Sequence, residues 1–108
     1  MRNYKGKAVE QFLEMLIAER GASSNTCTSY LNDITNFDKF LSGAEASLEA
    51  ATTDDVRRYL QHRSEAGANS PTISRNLSVL RQFFKFLQSE NVRLDNPALN
   101  VDGPKVSR

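Results

Sequence analysis

The chain has 108 residues, 39% of them hydrophobic and 25% charged, enough for one domain with a core of its own. A net charge of +1 is weak for a dedicated nucleic-acid binder, while a single cysteine (Cys27) and a single histidine (His62) exclude a disulfide framework, a cysteine-based zinc site and a catalytic histidine pair. No apolar run approaches the about 20 residues that span a bilayer, and MRNYKGKAVEQF lacks the apolar region of a signal peptide, so a reduced cytoplasmic location without a membrane partner is expected.

Four helices are expected, each punctuated at its ends. In the first, Val9, Phe12, Leu13, Leu16 and Ile17 recur at helical spacing, and Gly21 is the expected stop. The second opens after SSN, with Ser23 or Ser24 as cap. Its apolar stripe is Tyr30, Ile34, Phe37 and Leu41, widened by Phe40, and Gly43 ends it. A short helical turn is expected within Glu45–Ala51.

The third helix starts at TTDD, a capping-box arrangement with acids at the positive end of the dipole. Val56, Tyr59 and Leu60 form its apolar face and Gly67 its stop. The fourth is expected to use Ser70 as N-cap with Pro71 at the first helical position. Ile73, Leu77, Leu80, Phe84 and Leu87 point to the core, and Phe83 and Phe86 extend that face. No stretch alternates with period two over a convincing length, so the fold class is all-α. After Glu90 the periodicity stops, and NVRLDNPALNVDGPKVSR reads as a linker or exposed tail. The expected division is a helical domain over 1–95 and a linker over 96–108.

An enzyme reading fails on inventory. His62 is expected on the surface of the third helix, and Cys27 as a small, half-buried residue in the first turn of the second. Asp54 and Asp55 stand where a helix start wants acids. There is no glycine-rich phosphate loop and no metal-spaced cluster, so neither catalytic residues, metal nor cofactor are expected.

A binding reading rests on the outward faces of two helices. On the fourth, Thr72, Arg75, Asn76, Ser78, Val79 and Gln82 fall away from the apolar stripe. On the second, Asn25, Thr26, Thr28, Ser29, Asn32 and Asn36 crowd the polar side, with no Lys or Arg before Lys39. Short hydroxyl and amide side chains are modest helix formers, and they approach a duplex closely enough to bond phosphate or base edges. Charge is segregated too: from Asn69 to Arg93 the cations Arg75, Arg81, Lys85 and Arg93 stand against Glu90, a balance of +3. The two helix N-termini offer free N–H groups to phosphate. Capping plus a polar surface accounts for these features as well as DNA contact does, and composition does not choose between them. Arg81 is expected to pair with Asp33 or Asp38.

The spacing carries a resemblance. SSNTCTSYLNDITNFDKFL resembles the T-x-x-x-Y-x-x-D-[LI]-x-x-F-x-x-[FW]-L pattern of the N-terminal core-binding domain of tyrosine recombinases of the phage integrase and Xer type. Thr26, Tyr30, Asp33, Ile34, Phe37, Phe40 and Leu41 fall on it. TTDDVRRYLQHRSEAG resembles that family's third helix, and SPTISRNLSVLRQFFKFLQSENVRLDNPA its fourth helix and exit. The match runs from about Val9 to Pro104.

The resemblance implies a compact four-helix SAM-like bundle with an extended C-terminal linker, forming half of a clamp on duplex DNA. Its second and fourth helices would approach the major groove. The implied contacts are Asn25, Thr28, Ser29, Asn32, Thr72, Arg75, Ser78 and Gln82, with Lys105 and Arg108 as backbone contacts from the tail. It also implies other recombinase protomers as partners on DNA and a monomer in isolation. Catalysis would lie in a following domain whose arginine, histidine and tyrosine motifs do not occur here, and no nucleophile is carried onto Tyr4, Tyr30 or Tyr59. The alternative is a helical protein–protein module, using the Arg57, Arg58 and Arg63 face or the Phe12/Met15 edge.

Overall fold

A computed structural model describes residues 4–44 and 46–104. Four helices follow in order: α1 (Tyr4–Arg20), α2 (Ser24–Gly43), α3 (Thr53–Glu65) and α4 (Ser70–Ser89), with no strand among the described residues. Each forms where local chemistry starts and stops it. The Ser23 side chain accepts from the Thr26 N–H at the head of α2. Thr52 and Asp55 complete the capping box of α3, each side chain taking the other's backbone N–H at 3.1 and 2.9 Å. The fourth cap differs from expectation: Asn69, not Ser70, is the N-cap of α4, its Oδ1 accepting from Thr72 N–H at 3.0 Å. Ser70 and Pro71 are already helical. An amide and a hydroxyl compete for such a position, and the longer Asn side chain has won it.

The ends of α3 and α4 share one device. Gly67 and Asn91 both take positive φ (98° and 61°), and Ala68 N–H and Val92 N–H reach back to the Arg63 and Leu87 carbonyls. Gly67 is legible as a stop, whereas Asn91 serves because asparagine tolerates the left-handed region better than most residues.

α4 is the central element and packs against each of the other three helices. Ile73, Leu77, Leu80, Phe83, Phe84 and Leu87 are buried as expected, and Val79 with Asn76 joins them. Those last two were expected outside; α4 is covered on more than one side, so its buried arc is wider than a single stripe. The core also takes Phe12 and Leu16 from α1, Ile34, Phe37 and Leu41 from α2, and Val56, Tyr59 and Leu60 from α3. Aromatic rings meet edge-on within it, Phe12 on Phe83 at 5.4 Å and Phe37 on Tyr59 at 5.1 Å. Ile17 is exposed rather than packed, because it lies at the edge of the α1 stripe. Phe12 is wholly buried, which removes it from any interaction edge.

The turn expected between α2 and α3 is present at Leu48–Ala50, and Leu48 and Ala51 insert into the core. The segment after α4 has no regular structure, yet it is not an exposed tail as far as Pro104. Ala98 and Val101 are buried. Arg81 donates from Nε to the Ala98 carbonyl at 3.1 Å and from Nη2 to the Val101 carbonyl, and Asn96 Nδ2 returns a bond to the Arg81 carbonyl. Arg93 binds the Leu48 and Ala51 carbonyls while its guanidinium lies over the Phe84 ring at 5.1 Å. The expected partners of Arg81 were carboxylates; its guanidinium is instead committed to carbonyls of the C-terminal segment.

Candidate nucleic-acid interface

The seam between α2 and α4 is built on one buried acid. Asp33 lies in the stripe that also carries Tyr30 and Phe37, and only 4% of it is exposed. A carboxylate so placed needs a counter-charge. Arg75 supplies it in a bidentate pair, Nε to Oδ2 at 3.1 Å and Nη2 to Oδ1 at 2.9 Å. The hydrogen bonds donated to Asp33, then that residue's charge, hold the Arg75 guanidinium above its ordinary pKa. The Arg75 side chain nevertheless remains 53% exposed. Its Nη1 has no bond among the described residues, so the fork holds Asp33 on one side and faces outward on the other.

Two turns along α4, Gln82 makes the second crossing. Its Nε2 donates to the Tyr30 hydroxyl at 3.2 Å and to Ser78 Oγ at 3.3 Å, and its Oε1 accepts from Arg20 of α1. Since Arg75 meets Asp33 and Gln82 meets Tyr30, the two helices run antiparallel. Their N-termini therefore lie at opposite ends of the seam, each already partly satisfied by its own cap. Gln82 is half-buried at a three-helix junction rather than extended to solvent.

The remaining expected contacts divide clearly. Asn25, Ser29, Asn32 and Asn36 fall at helical spacing along an exposed strip of α2, immediately beside the Asp33 stripe, and Thr28 is exposed as well. Thr72 is half-buried and Ser78 exposed on α4. Lys105 and Arg108 lie outside the described residues. Asn76 points inward and accepts from Arg63 Nε at 3.2 Å. The local excess of cations is mostly spent on structure: Arg75 on Asp33, Arg81 on Ala98 and Val101, and Arg93 on Leu48, Ala51 and Asp95. Lys85 remains exposed. The pairing of Arg75 with Asp33 was the feature missed in the sequence; its signal was an aspartate set at core spacing between Tyr30 and Phe37.

Chemistry beyond recognition has little support in the described residues. No group of three or more His, Cys, Asp or Glu side chains is placed to hold a metal among them. His62 is exposed, with its ring 5.3 Å from Phe40. Cys27 is half-buried and free. No helix among the described residues is long and apolar enough to cross a membrane.

Comparison with known proteins identifies the family of the chain. Residues 9–91 match the phage integrase N-terminal SAM-like domain. The chain is 43% identical over 108 residues to tyrosine recombinase XerD of Rhizobium meliloti (strain 1021), covering 100% of this chain and 35% of that protein. It is 41% identical over 105 residues to XerD of Agrobacterium fabrum, covering 97% of this chain and 32% of that one. With XerD of Chlorobaculum tepidum the identity is 39% over 102 residues, 94% of this chain and 34% of the relative. The chain thus spans about a third of the length of the curated relatives it matches. No solved structure matches it. With residues 9–91 of this four-helix chain matched, the chain belongs to the phage integrase N-terminal SAM-like domain family.

Proposed function

We propose that this domain is the DNA-binding, non-catalytic part of a site-specific tyrosine recombinase, seated on the major groove through α2 and α4. One observation carries the reading: the α2–α4 seam sets a strip of short polar side chains beside an outward-facing arginine fork. Asn25, Thr28, Ser29 and Asn32 come from one helix, and Thr72, Arg75 and Ser78 from the other. Short side chains allow close approach to base edges, and the unbonded Nη1 of Arg75 can donate to phosphate or guanine. Gln82 acts as a brace that orients the seam. Lys105 and Arg108 add backbone contacts. On this reading the partners are duplex DNA and further recombinase protomers, the work is done in the cytoplasm, and the breaking and rejoining of strands is left to a separate catalytic domain.

A net charge of +1, with three arginines committed internally, makes the affinity of the isolated domain modest and steeply dependent on salt. The test is an NMR titration of the domain with duplex DNA at low salt. Shifts confined to exposed residues of α2 and α4 are the expected result. Absence of binding, or shifts that avoid both helices, refutes the reading. Ser78→Ala and Asn32→Ala are suitable companion variants, since both side chains are exposed and neither holds the core together. A lost base contact should relax specificity at one position by about 1–3 kcal/mol.

A further inference from the structure

Between α2 and α3 lies a cleft of about 330 Å³, lined by Asn36, Lys39, Phe40, Tyr59, His62 and Arg63. Asn36 is shared with the exposed polar strip of α2, while the other five are not among the DNA contacts proposed above. The lining holds two permanent cations and no carboxylate. Among the described residues neither Lys39 nor Arg63 enters an ion pair, although other arginines of the domain do. Arg63 donates its Nε to a neutral amide oxygen, that of Asn76, and not to a carboxylate. Lys39 and Asn36 are exposed and Arg63 is half-buried, so the charge is reachable.

A second observation is independent of charge. Tyr59 is 2% exposed, and its hydroxyl is the single buried side-chain polar atom without a hydrogen-bond partner among the described residues. Buried donors are normally paired, and an orphan calls for an explanation. The charges that act on the hydroxyl are those of Arg63, from the cleft, and of Asp33 and Arg75, from the α2–α4 seam. A cleft lined by two cations and no carboxylate is complementary to an oxyanion, and the fully buried Tyr59 hydroxyl could take part only through a bridging water.

We propose that this cleft is a phosphate site that takes a backbone phosphodiester of bound DNA, with Lys39 and Arg63 supplying charge and Asn36 a neutral donor. The proposal rests on the DNA-binding reading and extends it to α3, an element that reading leaves out. It also assigns the backbone charge to residues other than Arg75, whose charge is largely balanced by Asp33.

The test uses the full 108-residue chain, duplex titrations by fluorescence anisotropy over a range of salt, and the variants Lys39→Gln and Lys39→Arg. Lys39 is exposed, so neither change disturbs the core. Lys39→Gln should weaken binding to all duplexes alike and cut the fall in affinity between about 50 and about 200 mM salt by about threefold, the share of one phosphate contact. Lys39→Arg should keep the parent slope. If the duplex binds and Lys39→Gln retains the parent's affinity and slope, the cleft proposal falls while the DNA-binding reading stands. If no duplex binds, the DNA-binding reading falls, and inorganic phosphate decides the cleft. Saturable NMR shifts at Asn36, Lys39 and His62 that vanish in Lys39→Gln then support an anion site for free phosphate, and their absence overturns it.

Discussion

Asp33 is buried in the middle of α2, and Arg75 is the residue that makes this tolerable. Arg75→Ala leaves a carboxylate without its partner at a site water scarcely reaches. Removing one member of a fully buried pair costs about 3–5 kcal/mol; solvent around the half-exposed guanidinium lowers the expectation to about 2 kcal/mol. Urea denaturation measures it, and a loss below about 0.5 kcal/mol would contradict the role given to the pair. Any DNA-binding defect of Arg75→Ala must therefore be read beside its stability. Tyr59 makes a different prediction. Burial, the largest cause, raises its hydroxyl pKa above the ordinary 10.0. Below about pH 10 both folded and unfolded chains keep the proton, so the group adds no pH dependence. Above it the unfolded chain releases the proton first, and stability falls as pH rises through the raised value. Melts between about pH 8 and about pH 11 should show this decline, and Tyr59→Phe should flatten it. At this scale legibility was uneven. Arg75 was visible as a special residue because of its polar setting, but its partner was not, since pairing depends on how α2 and α4 are juxtaposed.

At the scale of the element the sequence was read most reliably, because caps and stops are local. Gly67, the Thr52–Asp55 box, Ser23 and the apolar stripes all act where spacing puts them. The fourth cap marks the resolution of such reading: two cap-forming residues stand side by side at Asn69 and Ser70, and the boundary moves by one residue between them. Asn69→Ala should cost about 1 kcal/mol through the lost bond to Thr72 N–H, whereas Ser70→Ala should be near neutral. Thermal melts of the two variants separate the assignments, and the reverse ranking would return the cap to Ser70. The width of the buried face of α4 was the less legible part. A helix covered by three neighbours buries more than one stripe, and Asn76 and Val79 look outward only while a single partner is assumed.

At the scale of the whole molecule, the irregular segment after α4 completes the core. Proline and glycine signal the end of helix correctly, but they say nothing about whether the following chain packs. Ala98 and Val101 do pack, and Arg81 fastens both of their carbonyls. A chain stopped at Asp95 should lose about 3 kcal/mol, from the uncovered apolar surface and the unpaired guanidinium. Equal stability of the two lengths in urea would show the segment to be dispensable. The candidate interface was only half legible for the same reason: polar faces are written along each helix, whereas the demand that core and segment make on Arg75, Arg81 and Arg93 emerges on assembly.

The course of that segment has a mechanical consequence. From Asn96, bonded to Arg81, the backbone returns along α4 until a Cβ added at Gly103 would lie within 4 Å of Leu77 and Ser74 side-chain atoms. The last described residues thus lie beside the N-terminal half of α4, within one turn of Arg75. The described chain therefore leads back to the start of the helix and not to its far end, where Ser89 closes it. A pull on the chain at Pro104 would therefore load α4 beside the arginine fork before it reached Ser89.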